Sequence, residues 1–90
     1  MNYLWNGRSL DMPRVHRLSN SRIYVHAHRE HPPPHFHQIG EGWEVVIYIR
    51  SLEVKRGWAP RSDLAEAMEW ASANQSFLLR KWDEYNERDH

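Results

Sequence analysis

Several things are missing from this 90-residue chain, and each absence excludes a class of function. The chain has no cysteine, which excludes disulfide frameworks, thiol nucleophiles and thiolate metal sites. Its net charge is zero at pH 7, which is not the composition of a strongly basic nucleic-acid-binding protein. No apolar run approaches the roughly 18 residues that a membrane-spanning helix needs. We therefore expect one small cytoplasmic domain with a thin core.

Charge is distributed unevenly along the chain. Residues 1–38 contain five arginines and two acidic residues, whereas residues 39–90 contain seven basic and ten acidic residues. Six of the seven histidines lie in the basic half, where protonation near pH 6 adds positive charge. Opposite charges of this kind favour docking between the halves, between copies of the chain or with a partner. A chance difference in charge between two solvated surfaces explains the same distribution equally well.

The hydrophobic pattern predicts an α+β domain. Residues 1–20 have no sustained periodicity and are expected to form a loose N-terminal arm, followed by a single domain over residues 21–87. A small antiparallel sheet of three to four strands is predicted, with segments at residues 22–28, 35–39, 43–50 and 52–56. Two helices follow, one opened by Pro60 and one running from about Gln75 to Asn86. Because the strands precede the helices, both helices should pack on one face of the sheet.

A cluster of histidines is the most distinctive feature of the sequence. Five of the seven lie between His26 and His37, on both sides of three consecutive prolines. If the flanking strands form a hairpin in which His28 faces His35, then His26 faces His37. Four imidazoles would then share one face of the sheet, and Phe36 would point to the core.

Three interpretations of this cluster stay open. The first is a metal site, since neutral imidazoles bind zinc and nickel, although the spacing matches no standard motif. The second is acid–base catalysis on a phosphodiester, with His35 and His37 as the candidate catalytic pair near Arg22 and Arg29. The third is structural, because histidines beside a proline-rich loop can hydrogen-bond its carbonyl groups and shape it.

One segment of the cluster resembles the signature of a known family. His31-Pro32-Pro33-Pro34-His35-Phe36-His37 is similar to the His-x-Pro-Pro-His-Phe-His motif of a small bacterial family, domain of unknown function 4160. The family pattern continues in order through Gly40 and residues 44–49, 57–61, 69–70 and 78–82, so the resemblance covers about residues 12–83. The third proline departs from the pattern, which often has a polar residue before two prolines.

The resemblance implies an α+β fold and a bacterial source, and it implies no particular activity. Proteins of this kind are similar to ones encoded beside a second small family with a DNA-binding, antitoxin-like character. A toxin–antitoxin-like or other two-protein pair is therefore implied. The resemblance also shifts the metal hypothesis toward His31, His35 and His37, because His26 and His28 lie outside the signature and become secondary candidates.

The leading hypothesis is a cytoplasmic protein-interaction module whose partner is a small protein encoded nearby. Its contact surface is expected around the His-Pro loop (residues 29–34), with Arg22, Arg29 and Trp58 as candidate partner or anion contacts. The alternatives are a histidine-based domain that binds zinc or nickel and a metal-independent, ribonuclease-like enzyme. No enzymatic activity, small-molecule cofactor or membrane contact is assigned, and nucleic acid binding stays open.

Overall fold

A computed structural model describes residues 13–27 and 30–86. Within these ranges, five strands come first, and in order they are β1 (Arg14–Arg17), β2 (Arg22–Tyr24), β3 (His35–Gly40), β4 (Trp43–Tyr48) and β5 (Val54–Gly57). Two helices follow, α1 (Arg61–Ala73) and α2 (Gln75–Tyr85). The strands form one antiparallel sheet in the order β1-β2-β3-β4-β5. The predicted α+β class is confirmed, but the sheet has five strands where three to four were predicted.

The additional strand is β1, whose residues were predicted to belong to a loose arm. It pairs with β2, with Arg14 opposite Tyr24 and Arg17 opposite Arg22, and the register shifts between these two pairs. The strand sequence Arg-Val-His-Arg has a single apolar side chain. Such a short edge strand has no hydrophobic alternation to detect, so sequence reasoning missed it. Residues 1–12 of the predicted arm lie outside the described residues.

The hydrophobic core lies between one face of the sheet and the two helices. The strands contribute fully buried side chains to it, among them Ile23, Phe36 and Ile47. The helices contribute Ala67, Ala71, Leu78 and Trp82. Burying an aliphatic or aromatic side chain contributes roughly 1.5–3 kcal/mol, so these residues dominate the stability of so small a domain. Three tryptophans contact the core: Trp82 is buried, while Trp43 and Trp70 are half-buried at its margin.

Both helices begin near the positions that the sequence predicts. Pro60 directly precedes α1, and Asn74 separates α1 from α2. The buried Gln38 of β3 joins the sheet to the first turn of α1, because its side-chain amide donates to the backbone carbonyl of Asp63 at 2.9 Å. Within the described ranges, neither helix is long and apolar enough to cross a membrane.

We call the sheet surface turned away from this core the open face, and its central residues His37 and Val46 are nevertheless buried. Directly opposed residues of neighbouring strands share a face, so the register defines its membership. One row of opposed residues crosses all five strands, and it consists of Arg14, Tyr24, His37, Val46 and Arg56. A second row places Arg17, Arg22, Ile39 and Glu44 on the same face.

The pairing of β2 with β3 differs by two residues from the predicted hairpin. His37 faces Tyr24, whereas the prediction placed it opposite His26. Because side chains alternate between faces with a period of two, a shift of two residues leaves each side chain on its expected side. Phe36 therefore reaches the core as predicted, and it is completely buried.

Candidate functional site

His37 lies at the centre of the sheet and is held by a carboxylate. Its side chain is only 4% exposed, and Nδ1 lies 2.6 Å from Oε2 of Glu44 on β4. Glu44 is two residues from Val46, the direct partner of His37, which makes it a diagonal neighbour on the same face. A contact this short is typical of a hydrogen bond with an ionised acceptor, so the Nδ1–H group donates to the carboxylate.

The surroundings of His37 keep its ring neutral. Burial lowers the pKa of His37 to about 4, and the hydrogen bond to Glu44 opposes this shift only in part. With the proton on Nδ1, the lone pair of Nε2 is left as an acceptor or a metal ligand. This Nε2 atom is buried and has no hydrogen-bond partner. An unpartnered buried nitrogen is uncommon in native structures, so Nε2 of His37 is a candidate functional atom.

His26 stacks on His37. The ring centroids are 3.6 Å apart and the ring planes differ by 10°. Nδ1 of His26 lies 3.6 Å from Oε2 of Glu30. Burial lowers the pKa of His26 despite the nearby Glu30 and Glu44 carboxylates, and its Nε2 atom is also buried without a partner. In each of the two stacked imidazoles, Nδ1 therefore faces a carboxylate and Nε2 has no hydrogen-bond partner.

His35 completes the cluster at the beginning of β3. Its Nδ1–H group donates to the carbonyl of Pro33 at 2.9 Å, and its Nε2 lies 3.5 Å from Oε1 of Glu30. The ring meets the edge of His37 at a centroid distance of 5.4 Å and lies 4.9 Å from the ring of Trp82. The bond to Pro33 is the kind of loop contact that the structural interpretation of the cluster expects. We call His26, His35, His37, Glu30 and Glu44 the imidazole cluster.

Asn86, just after α2, ties the His-Pro loop to the helices. Its Oδ1 atom accepts a hydrogen bond from the backbone N–H of Glu30 at 2.7 Å, and its Nδ2 donates to the carbonyl of His26 at 2.8 Å. The side chain is buried, so these bonds are shielded from water. The position of Glu30 beside both His26 and His35 thus depends on the end of α2.

The candidate metal ligands are only partly brought together. His35, His37 and the secondary candidate His26 meet in the imidazole cluster, while His31 is exposed on the loop. Within residues 13–27 and 30–86, no group of three or more histidine or acidic side chains is arranged to hold a metal ion. His28, the remaining candidate, lies outside the described residues, so the metal hypothesis stays a prediction.

The candidate partner contacts lie in separate places. Arg22 is half-buried on the open face, where its Nε donates to the hydroxyl of Tyr24 at 3.1 Å. Trp58 follows β5 at the opposite edge of the sheet, 60% exposed, with its ring 6.4 Å from that of Trp43. Arg29 lies outside the described residues. Arg22 and Trp58 therefore belong to two different surfaces.

Sequence reasoning missed the two carboxylates of the imidazole cluster and the arginines of β1. Glu44 lies within a strand that is otherwise apolar, and this isolated acid in a buried run was a usable signal. Glu30 was recognisable only as an acid among histidines, because its contacts depend on the path of the loop. Arg14 and Arg17 became part of a surface only when β1 paired with β2.

Comparison with known proteins gives a family and no closer relative. No curated protein and no solved structure matches the chain significantly. Residues 21–83 match the family described as Domain of unknown function (DUF4160). The match covers the sheet from β2 onward, the His-Pro loop, α1 and most of α2. The chain therefore belongs to the DUF4160 family.

Proposed function

We propose that this protein is a protein-interaction module that accepts an extended segment of a partner protein along β5. The partner is a small protein encoded nearby, as in a toxin–antitoxin-like or other two-protein pair. The observation that carries the proposal is β5, the edge strand of the sheet within the described residues, followed directly by an exposed tryptophan.

The edge itself supports strand addition. β5 is the last strand in the order of the sheet, and all four of its residues are exposed. An unprotected edge offers backbone N–H and C=O groups to an added strand, which is how several peptide-binding domains hold their ligands. Val54 is 43% exposed and Trp58 is 60% exposed, and these are the exposed large hydrophobic residues of the described ranges. Tryptophan is strongly enriched among residues that dominate binding energy.

The charge of this edge indicates the chemistry of the partner. Lys55 and Arg56 are exposed side by side between Val54 and Trp58. Two adjacent cations discourage pairing with a second copy of the same strand, because like charges would then face each other. The partner segment should therefore be extended and acidic, with an apolar side chain that packs on Trp58.

The test is binding of the protein encoded beside this one in its native genome, measured by isothermal titration calorimetry with purified components. We expect Trp58→Ala to weaken the complex at least tenfold, since it removes the apolar anchor. Lys55→Glu should also weaken the complex and reduce the salt dependence of binding, because this change reverses a charge that faces an acidic segment.

The matched control is Arg80→Glu, which reverses an exposed charge on α2, away from β5. This variant should bind like the wild type. The proposal fails if the neighbouring protein does not bind at micromolar concentrations. It also fails if Trp58→Ala and Lys55→Glu bind as well as Arg80→Glu does.

A second candidate function is divalent metal binding, and a specific observation favours it. The Nε2 atoms of His26 and His37 are both buried and unpartnered, while their Nδ1 atoms face carboxylates. In metal sites, a ligating histidine commonly donates its other N–H to a carboxylate, which fixes the ring for coordination. Zinc and nickel are among the metals that suit a site built from imidazoles.

Zinc titration followed by nitrogen NMR of the imidazole rings tests this candidate. Stoichiometric zinc should shift the Nε2 resonances of His26 and His37, and His37→Gln should abolish the shift. His16→Gln is the control, because His16 stacks on Trp70 at a distant part of the sheet. Shifts restricted to the exposed His31, or no shift at excess metal, would count against metal binding by the cluster.

The ribonuclease-like alternative receives less support. The side chains of His35 and His37, its candidate acid and base, are only 3% and 4% exposed, so a phosphodiester could not reach their rings without rearrangement. A pKa of about 4 also makes His37 a weak base at neutral pH, where the best general bases have pKa values near 7. We do not propose catalysis by this pair.

A further inference from the structure

We propose that a cluster of arginines at the β1 edge of the sheet binds a phosphate dianion. This arginine cluster consists of Arg14, Arg17 and Arg22, and Tyr24 lies beside it. The site lies at the edge opposite β5, so the proposal goes beyond the proposed protein partner and does not depend on it. It also uses none of the residues of the imidazole cluster.

An irregularity in the pairing of β1 places its two arginines on the same face. In a regular strand, residues three positions apart point to opposite faces. Between Arg14 and His16 the partner on β2 changes by only one residue, so β1 contains one extra residue, as in a β-bulge. Val15 packs against the core and His16 stacks on Trp70, so both lie on the core side. Arg14 and Arg17 consequently both lie on the open face.

Like charges oppose each other in the arginine cluster, because Arg17 lies directly opposite Arg22. Like charges in directly opposed positions destabilise a sheet. Within the described residues, none of the three arginines forms an ion pair that would offset this repulsion. The arrangement is therefore unfavourable for folding alone, and a bound anion would relieve it.

Carboxylates on the neighbouring elements do not neutralise the cluster. Glu44 of β4 accepts a hydrogen bond from His37 at 2.6 Å. Glu66 of α1 accepts from the backbone N–H and the hydroxyl group of Ser19, at 3.0 and 2.7 Å. Glu69 lies across a groove from β1 and forms no ion pair within the described part of the chain. The positive charge of the cluster therefore favours an anion from outside the chain.

Tyr24 orients one guanidinium group and adds a donor of its own. Nε of Arg22 donates to the hydroxyl oxygen of Tyr24 at 3.1 Å, which leaves the terminal NH2 groups of Arg22 to other acceptors. Because the hydroxyl oxygen accepts this bond, its own hydrogen can be donated to an anion. Arg14 lies directly opposite Tyr24, and opposed side chains start roughly 4.5–5.5 Å apart. A second guanidinium group therefore begins beside the hydroxyl.

The number of donors and charges favours a phosphate group over a carboxylate. The planar guanidinium group of arginine can donate two parallel hydrogen bonds to either anion. A carboxylate has one negative charge and two oxygens, whereas a phosphate monoester carries a charge of about −1.5 to −2 and three strong acceptor oxygens. Phosphate is therefore the better match for three arginines and a hydroxyl. Arg14 and Arg17 are exposed, so an anion can reach the site from solvent.

NMR of the arginine Nε–H groups during titration with anions tests the proposal. The probes are inorganic phosphate and a phosphoserine blocked at both termini, with acetate at equal ionic strength as the reference. Both phosphates should shift the Nε–H signals of Arg14, Arg17 and Arg22 saturably, with a Kd about tenfold or more below that of acetate. The tighter of the two phosphates assigns the site to free phosphate or to a phosphorylated molecule.

Two variants separate the charge of the cluster from its hydrogen bonds. Arg17→Gln should weaken phosphate binding about fivefold or more, because it removes one charged donor group. The same variant should unfold at or above the wild-type temperature without phosphate, because it removes the repulsion from Arg22. Tyr24→Phe should weaken binding about threefold, since it removes the hydroxyl donor and keeps the ring.

The matched control is Arg80→Gln, because Arg80 is an exposed arginine on α2 outside the cluster. This variant should bind phosphate like the wild type. The proposal is overturned if about 10 mM phosphate gives no saturable shift in the cluster, or if acetate binds equally well. Equal loss of affinity in Arg17→Gln and Arg80→Gln would also overturn it. A lower unfolding temperature of Arg17→Gln would contradict the repulsion on which the site is based.

Discussion

Lowering the pH from 7 to 4.5 should reduce the free energy of unfolding by about 2–3 kcal/mol through His37 alone. His37 has a pKa of about 4 in the folded protein, whereas an unperturbed histidine, as in the unfolded chain, has a pKa of 6.5. Between these two values the unfolded state binds a proton that the folded state does not bind. Stability is therefore fully present above pH 6.5 and is lost as the pH falls toward 4, with His26 adding to the effect in the same direction.

The pH effect is measured by urea denaturation at pH 7 and pH 4.5. His37→Gln should be less stable than the wild type at pH 7, because Glu44 loses its close imidazole partner, but its stability should depend less on pH. The control is His31→Gln, since His31 is exposed on the loop and should leave the pH dependence unchanged. If the wild type and His37→Gln lose the same free energy between the two pH values, the proposed cause is wrong.

Gly57→Ala should destabilise the protein by about 2–4 kcal/mol and displace the β5 edge. Gly57 has a φ of 84°, in the left-handed region where a Cβ atom is unfavourable. A Cβ atom at this position would also overlap the backbone carbonyl of Glu44, which cannot move without disturbing β4. The next residue, Trp58, donates its backbone N–H to that same carbonyl at 3.0 Å, so the anchor of the proposed partner site shifts with it.

Gly42→Ala is the matched control for this prediction. Gly42 has nearly the same backbone angle, with a φ of 83°, but a Cβ atom there would meet nothing within 4 Å. The strain of the left-handed backbone should cost about 1–2 kcal/mol at both positions, and only Gly57→Ala should add the steric term. Thermal unfolding of the two variants compares these costs directly. Equal losses of stability would show that the contact with Glu44 adds nothing to the cost of Gly57→Ala.

The sequence was sufficient to predict most elements of the fold, for identifiable physical reasons. The apolar run around Val45 to Ile49 marked a buried strand, and Pro60 marked the start of α1. β1 escaped prediction because two of its four residues are arginines on an exposed edge. The pairing of β2 with β3 was misplaced by two residues because periodicity determines the face of a side chain and leaves its exact partner undetermined.

Sequence reasoning identified the histidines of the site but not the carboxylates that contact them. The grouping of His35 and His37 follows from their alternation on β3, which the sequence displays, whereas His26 lies beyond the end of β2 and joins them by stacking on His37. The carboxylates of Glu30 and Glu44 reach the rings through a loop path and a diagonal cross-strand contact, and local pattern contains neither. The open-face row that begins at Arg14 and ends at Arg56 required the register of all five strands.

The hydrogen bonds of Asn86 couple the end of α2 to the His-Pro loop. When a helix end frays, its side-chain contacts are lost together with its backbone bonds. Fraying at Asn86 would remove the acceptor of the Glu30 N–H and the donor to the His26 carbonyl in one event. Opening of the loop and unwinding of the helix end should thus form one cooperative unit, with the same opening free energy in amide hydrogen exchange.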